Sequence, residues 1–148
     1  MTDLRPDLQE PAYALQAHLG FDLTGWRQDW ARVEMPLGAH LMNRQGLPHG
    51  GVHATLLDTA MGYAGCYTGD PAVRQMALTL SLTVNFLARP AGQHLIAEGQ
   101  RTGGGRSTYF AEGHLRDETG VVLARTSGVF RYRPVQDGPL QSPVDNSA

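Results

Sequence analysis

The segment from His49 to about Cys66 constrains the fold more than any other part of the chain. Its apolar residues recur at helical spacing, as Val52, Leu56, Leu57, Ala60, Met61 and Ala64. This spacing predicts one long helix over residues 49–66. Between Arg44 and Asp70 the only formally charged side chain is that of Asp58. Because a helix that is apolar nearly all round is a buried helix, we expect this one to lie at the centre of the domain, covered on every side.

Antiparallel β-structure is predicted on both sides of this helix. In Leu78–Phe86 apolar residues alternate with Thr, Ser and Asn, which indicates a strand with two unlike faces. Three further strands follow, separated by Gly-rich or polar turns, over His94–Thr102, Ser107–Arg116 and Val121–Tyr132. Before the helix, Phe21–Met35 is predicted to be one extended, bent strand.

One helix between a first strand and four antiparallel strands is an α+β arrangement in which a sheet curls around the helix. A single domain is expected over residues 1–134, since a chain of 148 residues is large enough for one complete core. It begins with a short helix over Pro6–Leu19. The polar tail over residues 135–148 is expected to be disordered.

Composition limits where the protein works and what it binds. The formal net charge of −2 provides no basic field for nucleic acid or for an anionic membrane surface. No apolar run approaches the ~18 residues of a membrane span. The single cysteine, Cys66, excludes an internal disulfide and indicates a reducing compartment. The first twenty residues lack the features of a signal peptide, so we expect a cytoplasmic protein with no nucleic-acid or membrane partner.

Asp58 is the residue least suited to such an apolar helix. Its helical neighbours three and four positions away offer no positive charge; they are Ala54, Thr55, Met61 and Gly62. Burying an unpaired carboxylate costs several kcal/mol, on the order of the stability of a small domain. Asp58 therefore either pairs with a distant polar group as a structural residue or lies at a cleft, where it can act chemically.

Nine residues earlier, His49-Gly50-Gly51 marks the start of the same helix. A helix start has unpaired N–H groups and partial positive charge, and glycine lets a substrate carbonyl approach without a Cβ in the way. These are the parts of an oxyanion site, where one well-placed donor contributes about 3 kcal/mol to transition-state stabilisation. Asn43 can add a side-chain amide donor. The plainer interpretation is a tight turn with an N-cap.

Taken together, these motifs resemble the PaaI-like hotdog thioesterases, the type named for phenylacetate degradation. The matching segments are Asn43-x-x-Gly46-x-x-His49-Gly50-Gly51, Leu57-Asp58-Thr59-Ala60, Thr79 and Asn85-Phe86-Leu87-x-Arg89-Pro90. The resemblance covers about Val33 to Phe130. It implies the hotdog fold, in which an antiparallel sheet of five or six strands wraps one long central helix. It also implies homodimers with shared active sites, which associate into homotetramers.

The resemblance further implies an acyl-CoA thioesterase that acts on an aryl-, phenylacetyl- or medium-chain acyl-CoA. In that family the N–H of the residue matching Gly50 polarises the thioester carbonyl, aided by those matching Asn43 and His49. Asp58 would come from the other protomer and act as general base or as nucleophile.

Thr79 matches the position where a hydroxyl holds the attacking water. One extra residue between Phe86 and Pro90 departs from the family pattern, so Thr83 remains the alternative. Gly51 would lie against the substrate. Arg89, Gly105 and Arg106 are candidates for contacts with the CoA phosphates, although a hairpin turn followed by an exposed arginine would look the same.

Other chemistries find less support. His49 and His53 have the spacing of zinc ligands on a helix, but Gly50 stands where a metalloprotease has its Glu and no third ligand is apparent. No Gly-x-Ser-x-Gly, Walker or Gly-x-Gly-x-x-Gly motif occurs. Because thioesters are activated, we expect neither a metal nor an organic cofactor. A hotdog hydratase or dehydratase and a non-catalytic acyl-CoA binding domain remain open, and the acyl group is not specified.

Overall fold

The computed structural model describes residues 3–137. They form one long helix, a six-stranded sheet and several short elements. The helices are α1 (Ala14–Leu19) and α2 (Gly50–Ala64), with 3-10 turns at Pro6–Leu8 and Ala39–Leu41. The strands are β1 (Asp22–Arg27), β2 (Trp30–Pro36), β3 (Val73–Arg74), β4 (Ala77–Phe86), β5 (His94–Gly104), β6 (Thr108–Asp117), β7 (Val122–Tyr132) and β8 (Gln136–Asp137).

The main sheet has the strand order β1-β2-β5-β6-β7-β4, and every neighbouring pair is antiparallel. Helix α2 packs against one face of this sheet through fully buried side chains, among them Leu56, Leu57 and Ala60. Strand residues that complete this core include Val33, Met35, Leu95, Ala97, Leu115 and Leu123. The predicted α+β hotdog architecture, with six strands and one long helix, is confirmed.

Strand β5 crosses α2 at Gly99, where the two backbones come unusually close. A Cβ added at Gly99 would lie 2.6 Å from the carbonyl carbon of Ala60 and 2.6 Å from the backbone nitrogen of Met61. Real Cβ atoms are essentially never that close to backbone, so only glycine lets the strand approach the helix to this distance.

The helix predicted over Pro6–Leu19 is confirmed only over Ala14–Leu19 and is wrong for the residues before it. After the 3-10 turn the chain is extended at Gln9 (φ −68°, ψ 127°), and α1 begins only at Ala14. Pro11 explains the interruption, because the ring of a proline disfavours the helical conformation of the residue before it. The segment over residues 9–13, between the 3-10 turn and α1, is therefore not helical.

The single strand predicted over Phe21–Met35 is also wrong, since this region is the hairpin β1–β2. The connection is Gln28-Asp29, and Asp29 has a φ of 60°. Aspartate is one of the few residues with a side chain that enters the left-handed region at modest cost. Without a glycine in the turn, the sequence pattern does not indicate the break.

Helix α2 is not covered on every side, contrary to expectation. One of its faces remains only half-buried, formed by Ala54, Thr55, Asp58, Thr59, Gly62 and Tyr63. These residues recur at spacings of three and four and therefore lie on the same side of the helix. Asp58 is on this open face rather than inside a sealed core.

The ordered chain extends beyond Pro134, where the tail was predicted to begin. Strand β8 pairs with β3 through Val73–Asp137 and Arg74–Gln136. The rest of the predicted tail, residues 138–148, lies outside the described residues. Within residues 3–137, no helix combines the length and apolar character needed to cross a bilayer.

Candidate active site

Asp58 lies beside the first residues of β4 and is held there by a hydrogen bond. The Thr79 hydroxyl donates to the Asp58 Oδ1 over 2.7 Å. Thr79 pairs with Phe130 of β7, whose buried side chain faces the helix, so Thr79 is on the inner face of the sheet. Thr83 lines a concavity on the outer face together with Ser127. The structure therefore brings Thr79, and not Thr83, to the carboxylate.

A β-bulge in β4 decides between the two threonines. The pairing register with β7 shifts between Thr79 and Ser81, at Leu80. In a regular strand, residues two apart face the same way, so Thr79, Ser81 and Thr83 would share one face. The bulge inserts one residue, so the side chains of Ser81 and Thr83 point to the outer face of the sheet while that of Thr79 points to the inner face.

The cleft around Asp58 has a volume of about 250 Å³ and is open on one side. Its walls are rich in aromatic side chains, which come from four separate parts of the chain: Tyr13, Trp26, Tyr63 and Phe130. The Trp26 ring meets the Tyr63 ring edge to face at a centroid distance of 5.1 Å. Such a lining suits the apolar part of an acyl group. Sequence reasoning identified none of these four, because Tyr13, Trp26 and Phe130 are far from Asp58 in sequence and nothing in the pattern marks Tyr63, on the same helix, as part of a site.

The thiol and the two tyrosine hydroxyls that line this cleft are kept protonated at neutral pH by burial. Burial raises the pKa of the Cys66 thiol to about 11, which makes it a poor nucleophile. Burial also raises the pKa values of Tyr13 and Tyr63. The described lining residues include two carboxylates, Asp58 and Glu10, and no Lys, Arg or His. Asp58 is therefore the group placed to accept a proton beside Thr79.

A second cleft, of about 270 Å³, lies at the start of α2. Gly50 is the first helical residue, so its N–H has no partner within the helix. The next N–H, that of Gly51, donates to the Nδ1 of His49 over 2.8 Å. His49 is thus the helix cap, and it leaves the Gly50 N–H for a ligand. A Cβ at Gly50 would lie 3.2 Å from the Phe86 ring, which shows how closely that ring covers the site.

Asn43 and His53 also line the second cleft. The Asn43 Oδ1 accepts hydrogen bonds from the backbone N–H groups of Gln45 (2.9 Å) and Leu47 (3.1 Å), which fixes the loop before the helix. His53 is 5% exposed and neither of its ring nitrogens has a partner among the described residues. Burial lowers its pKa, which favours the neutral ring. His49 uses its Nδ1 to cap the helix.

The remaining predicted site residues differ in whether they line one of the two clefts. Arg89 is exposed and lines the Gly50 cleft. Gly105 and Arg106 lie in the exposed turn between β5 and β6 and line neither cleft of this chain. The Gly51 N–H is already occupied by His49, so any substrate contact there would involve its Cα.

Asp58 and Gly50 are on the same helix but belong to different clefts. They are eight residues apart, which corresponds to about 12 Å along the helix axis. Within one chain the two groups therefore cannot act on the same carbonyl carbon. A larger concavity of about 460 Å³ lies on the outer face of the sheet, where Glu98, His114 and Arg125 are among its lining residues, and it contains none of the predicted site residues.

Comparison with known proteins assigns the family. The sequence model described as the thioesterase superfamily matches residues 45–124, more than half of the chain. The matched region contains His49, Gly50, Asp58 and Thr79. The chain belongs to the thioesterase superfamily. No curated protein sequence matches the chain.

Solved structures share the fold of this thioesterase-superfamily protein. The conserved protein PA5202 from Pseudomonas aeruginosa superposes with a TM-score of 0.75 at 25% identity, covering 87% of this chain and 98% of that one. The BH2602 protein from Bacillus halodurans, solved with CoA, has a TM-score of 0.71 at 27% identity, with 85% and 82% covered. The E. coli PaaI protein from the phenylacetic acid degradation operon has a TM-score of 0.71 at 23% identity, with 81% and 84% covered.

Proposed function

We propose that this protein is a PaaI-like acyl-CoA thioesterase that hydrolyses an aryl-, phenylacetyl- or medium-chain acyl-CoA to the free acid and CoA. One observation carries the proposal. The Asp58 carboxylate, fixed by Thr79, faces an open cleft with aromatic walls. Family membership supports thioester chemistry at this position. The CoA bound to BH2602 supports acyl-CoA as the ligand class.

In the proposed reaction the Gly50 N–H donates a hydrogen bond to the thioester carbonyl oxygen and stabilises the oxyanion. Asp58 accepts a proton from water, and the water oxygen attacks the carbonyl carbon. The tetrahedral intermediate collapses with cleavage of the C–S bond, and the CoA sulfur leaves and takes up a proton. Alternatively, Asp58 attacks the carbonyl carbon directly, the C–S bond breaks, the CoA thiolate leaves and takes up a proton, and water then hydrolyses the resulting anhydride. Neither route requires a metal or an organic cofactor.

Because Asp58 and Gly50 of one chain are about 12 Å apart along α2, we propose that each active site is formed by two protomers. The half-buried face of α2 and the edge strand β4 support this arrangement. Leu78 and Leu80 of β4 are 52% and 57% exposed, which is unusual for leucines on a sheet edge. A homodimer in which α2 meets the antiparallel α2 of its partner would bring Gly50 of one chain to Asp58 of the other.

Further parts of the proposal rest on the resemblance of the sequence to PaaI-like hotdog thioesterases. Two dimers would associate into a homotetramer, and the protein would work in the cytoplasm. Arg89, at the Gly50 cleft, would contact the CoA phosphates, and Gly105 and Arg106 would reach them from another protomer.

The decisive test is Asp58→Asn, assayed by thiol release from a panel of acyl-CoAs. We expect turnover below a few per cent of wild type with an unchanged melting temperature, because the amide keeps the shape and cannot accept the proton. Glu112→Gln, an exposed acid on the outer sheet face, is the matched control and should stay fully active. Substantial turnover in Asp58→Asn would show that another group performs the chemistry.

The same variants separate the two alternatives when the hydration of enoyl thioesters and the dehydration of hydroxyacyl thioesters are measured beside thiol release. If the protein is a hydratase or dehydratase, His49→Ala should abolish activity on enoyl or hydroxyacyl thioesters as completely as Asp58→Asn. If wild type binds acyl-CoAs, releases no thiol from any of them and neither hydrates enoyl thioesters nor dehydrates hydroxyacyl thioesters, the protein is a non-catalytic binding domain.

A further inference from the structure

Glu10 contributes a second carboxylate to the Asp58 cleft, from a segment far away in sequence. The preceding 3-10 turn is anchored by the buried side chain of Leu8. The Tyr63 hydroxyl donates to the Glu10 Oε2 over 3.1 Å. Burial raises the pKa of Tyr63, so this phenol stays protonated and able to donate. Tyr63 follows Asp58 by five residues, or about 7.5 Å along the helix axis, which places Glu10 toward the far end of the cleft.

The charge that balances Glu10 lies behind it, outside the cleft. The Nη1 of Arg74 is 4.0 Å from the Glu10 Oε1. Arg74 lines a small adjoining void of about 50 Å³, which shares Glu10, Trp26, Cys66 and Gln75 with the Asp58 cleft. Its Nε and Nη1 are buried without a hydrogen-bond partner in the described part of the chain. The cation is therefore screened from the cleft by the Glu10 carboxylate and the residues beside it.

An acyl group that enters the cleft thus meets a carboxylate at each end, and the counter-charge of Glu10 lies on the side away from the cleft. The described lining residues include Asp58 and Glu10 and no cationic side chain. A terminal carboxylate on the acyl group would lose hydration and be repelled. An uncharged end would pack against the aromatic walls without this penalty.

We propose, as an extension of the proposed function, that Glu10 is a specificity-determining residue which makes the cleft select acyl groups with uncharged ends over those that end in a carboxylate. Arg74 positions Glu10 and becomes a latent anion-binding group when the glutamate is removed.

The test compares two non-hydrolysable ligands that differ only at the far end, the thioethers S-hexyl-CoA and S-(5-carboxypentyl)-CoA. The CoA part is identical in both, so the contribution of its phosphates to binding cancels in the ratio of the two dissociation constants. We expect wild type to bind the hexyl compound at least about tenfold more tightly, as like charges in a partly screened site repel by about that amount. Glu10→Gln, which keeps the shape and one acceptor oxygen, should reduce the ratio to within about threefold.

Glu10→Ala provides the sharper result, because it leaves Arg74 unopposed. The preference should then invert in favour of the carboxypentyl compound, and the double variant Glu10→Ala/Arg74→Gln should lose that inversion. Glu112→Gln, which removes a charge of the same sign from the outer sheet face, should leave the wild-type ratio unchanged.

If Glu10 only anchors the N-terminal segment, its loss weakens both ligands equally and the ratio does not move, which overturns the inference. A wild-type protein that binds both compounds equally overturns it as well. Because these measurements use binding alone, they remain informative if no acyl-CoA is hydrolysed. In that case the catalytic proposal fails while the selectivity of the cleft is still tested.

Discussion

At the scale of single residues, Gly50 combines two features that can be separated by substitution. It lacks a side chain, which leaves room under the Phe86 ring, and it has an N–H without a helical partner. The side chain of His49 accepts a hydrogen bond from the N–H of Gly51, so the N–H of Gly50 is the one that stays open to a ligand. Gly50 thus provides room for a ligand and a hydrogen-bond donor, and in the proposed reaction only the donor would stabilise the oxyanion.

Gly50→Pro compared with Gly50→Ala distinguishes these roles. Proline is favourable at the first helical position, and His49 (φ −65°, ψ 135°) already has the extended conformation that a following proline requires. Both variants add a Cβ near Phe86, but only proline removes the N–H. We expect kcat for Gly50→Pro to fall about 10²–10³-fold below that of Gly50→Ala. Steady-state kinetics on the same acyl-CoA measures the difference, and equal rates would remove Gly50 from the oxyanion site.

At the scale of elements, the contact between β5 and α2 sets the position of the helix over the sheet. The close approach at Gly99 places the backbone of the strand against Ala60 and Met61, which are two and three residues after Asp58. Any side chain there must push the helix away from the sheet, and the displacement would reach the Asp58–Thr79 hydrogen bond.

Gly99→Ala is therefore expected to destabilise the fold and to impair activity together. A methyl group 2.6 Å from helix backbone has no flexible neighbour to displace, so we expect a loss of about 2–3 kcal/mol in the free energy of unfolding. Urea denaturation measures it. Gly103→Ala, on the same strand with no atom within 4 Å of the added Cβ, is the control and should be nearly neutral. A stable Gly99→Ala protein would mean that the helix can move without cost.

The elements differ in how well the sequence predicts them, and the reasons are physical. Helix α2 and strands β4 to β7 were predicted closely, because burial imposes a regular period on their side chains. The hairpin β1–β2 was missed since Asp29 makes its turn without glycine. The bulge at Leu80 has no local signal, so only the structure could choose Thr79 over Thr83. Glu10 and Tyr13 reach the cleft through tertiary packing, which no spacing in the sequence encodes.

At the scale of the whole molecule, the two ends of α2 serve two different active sites if the proposed dimer is correct. A dimer of two Asp58→Asn chains lacks the base at both sites, and a dimer of two Gly50→Pro chains lacks the donor at both. A mixed dimer has one site with both defects and one intact site.

Mixing the two inactive variants should therefore restore activity. If the chains are refolded together in equal amounts, half of the dimers are mixed and each has one good site of two, so about a quarter of wild-type activity should return. Thiol release before and after joint refolding measures the recovery, with each variant refolded alone as the control. Recovery absent from a sample that contains mixed dimers would place Asp58 and Gly50 in the same protomer's site or outside the chemistry.

The rigidity of α2 means that the chain between Gly50 and Asp58 cannot accept an inserted residue without moving the Asp58 side chain. A loop between Gly50 and Asp58 could absorb an extra amino acid, but a helix cannot. One inserted residue would turn everything beyond it through about 100° about the helix axis. The Asp58 carboxylate would move from its place beside Thr79 to the position that Thr59 occupies now, and Leu57 would take the place of Asp58 in the cleft. The helix therefore fixes the direction in which the Asp58 side chain points, and an insertion would change that direction more than it changes the distance from Gly50 to Asp58.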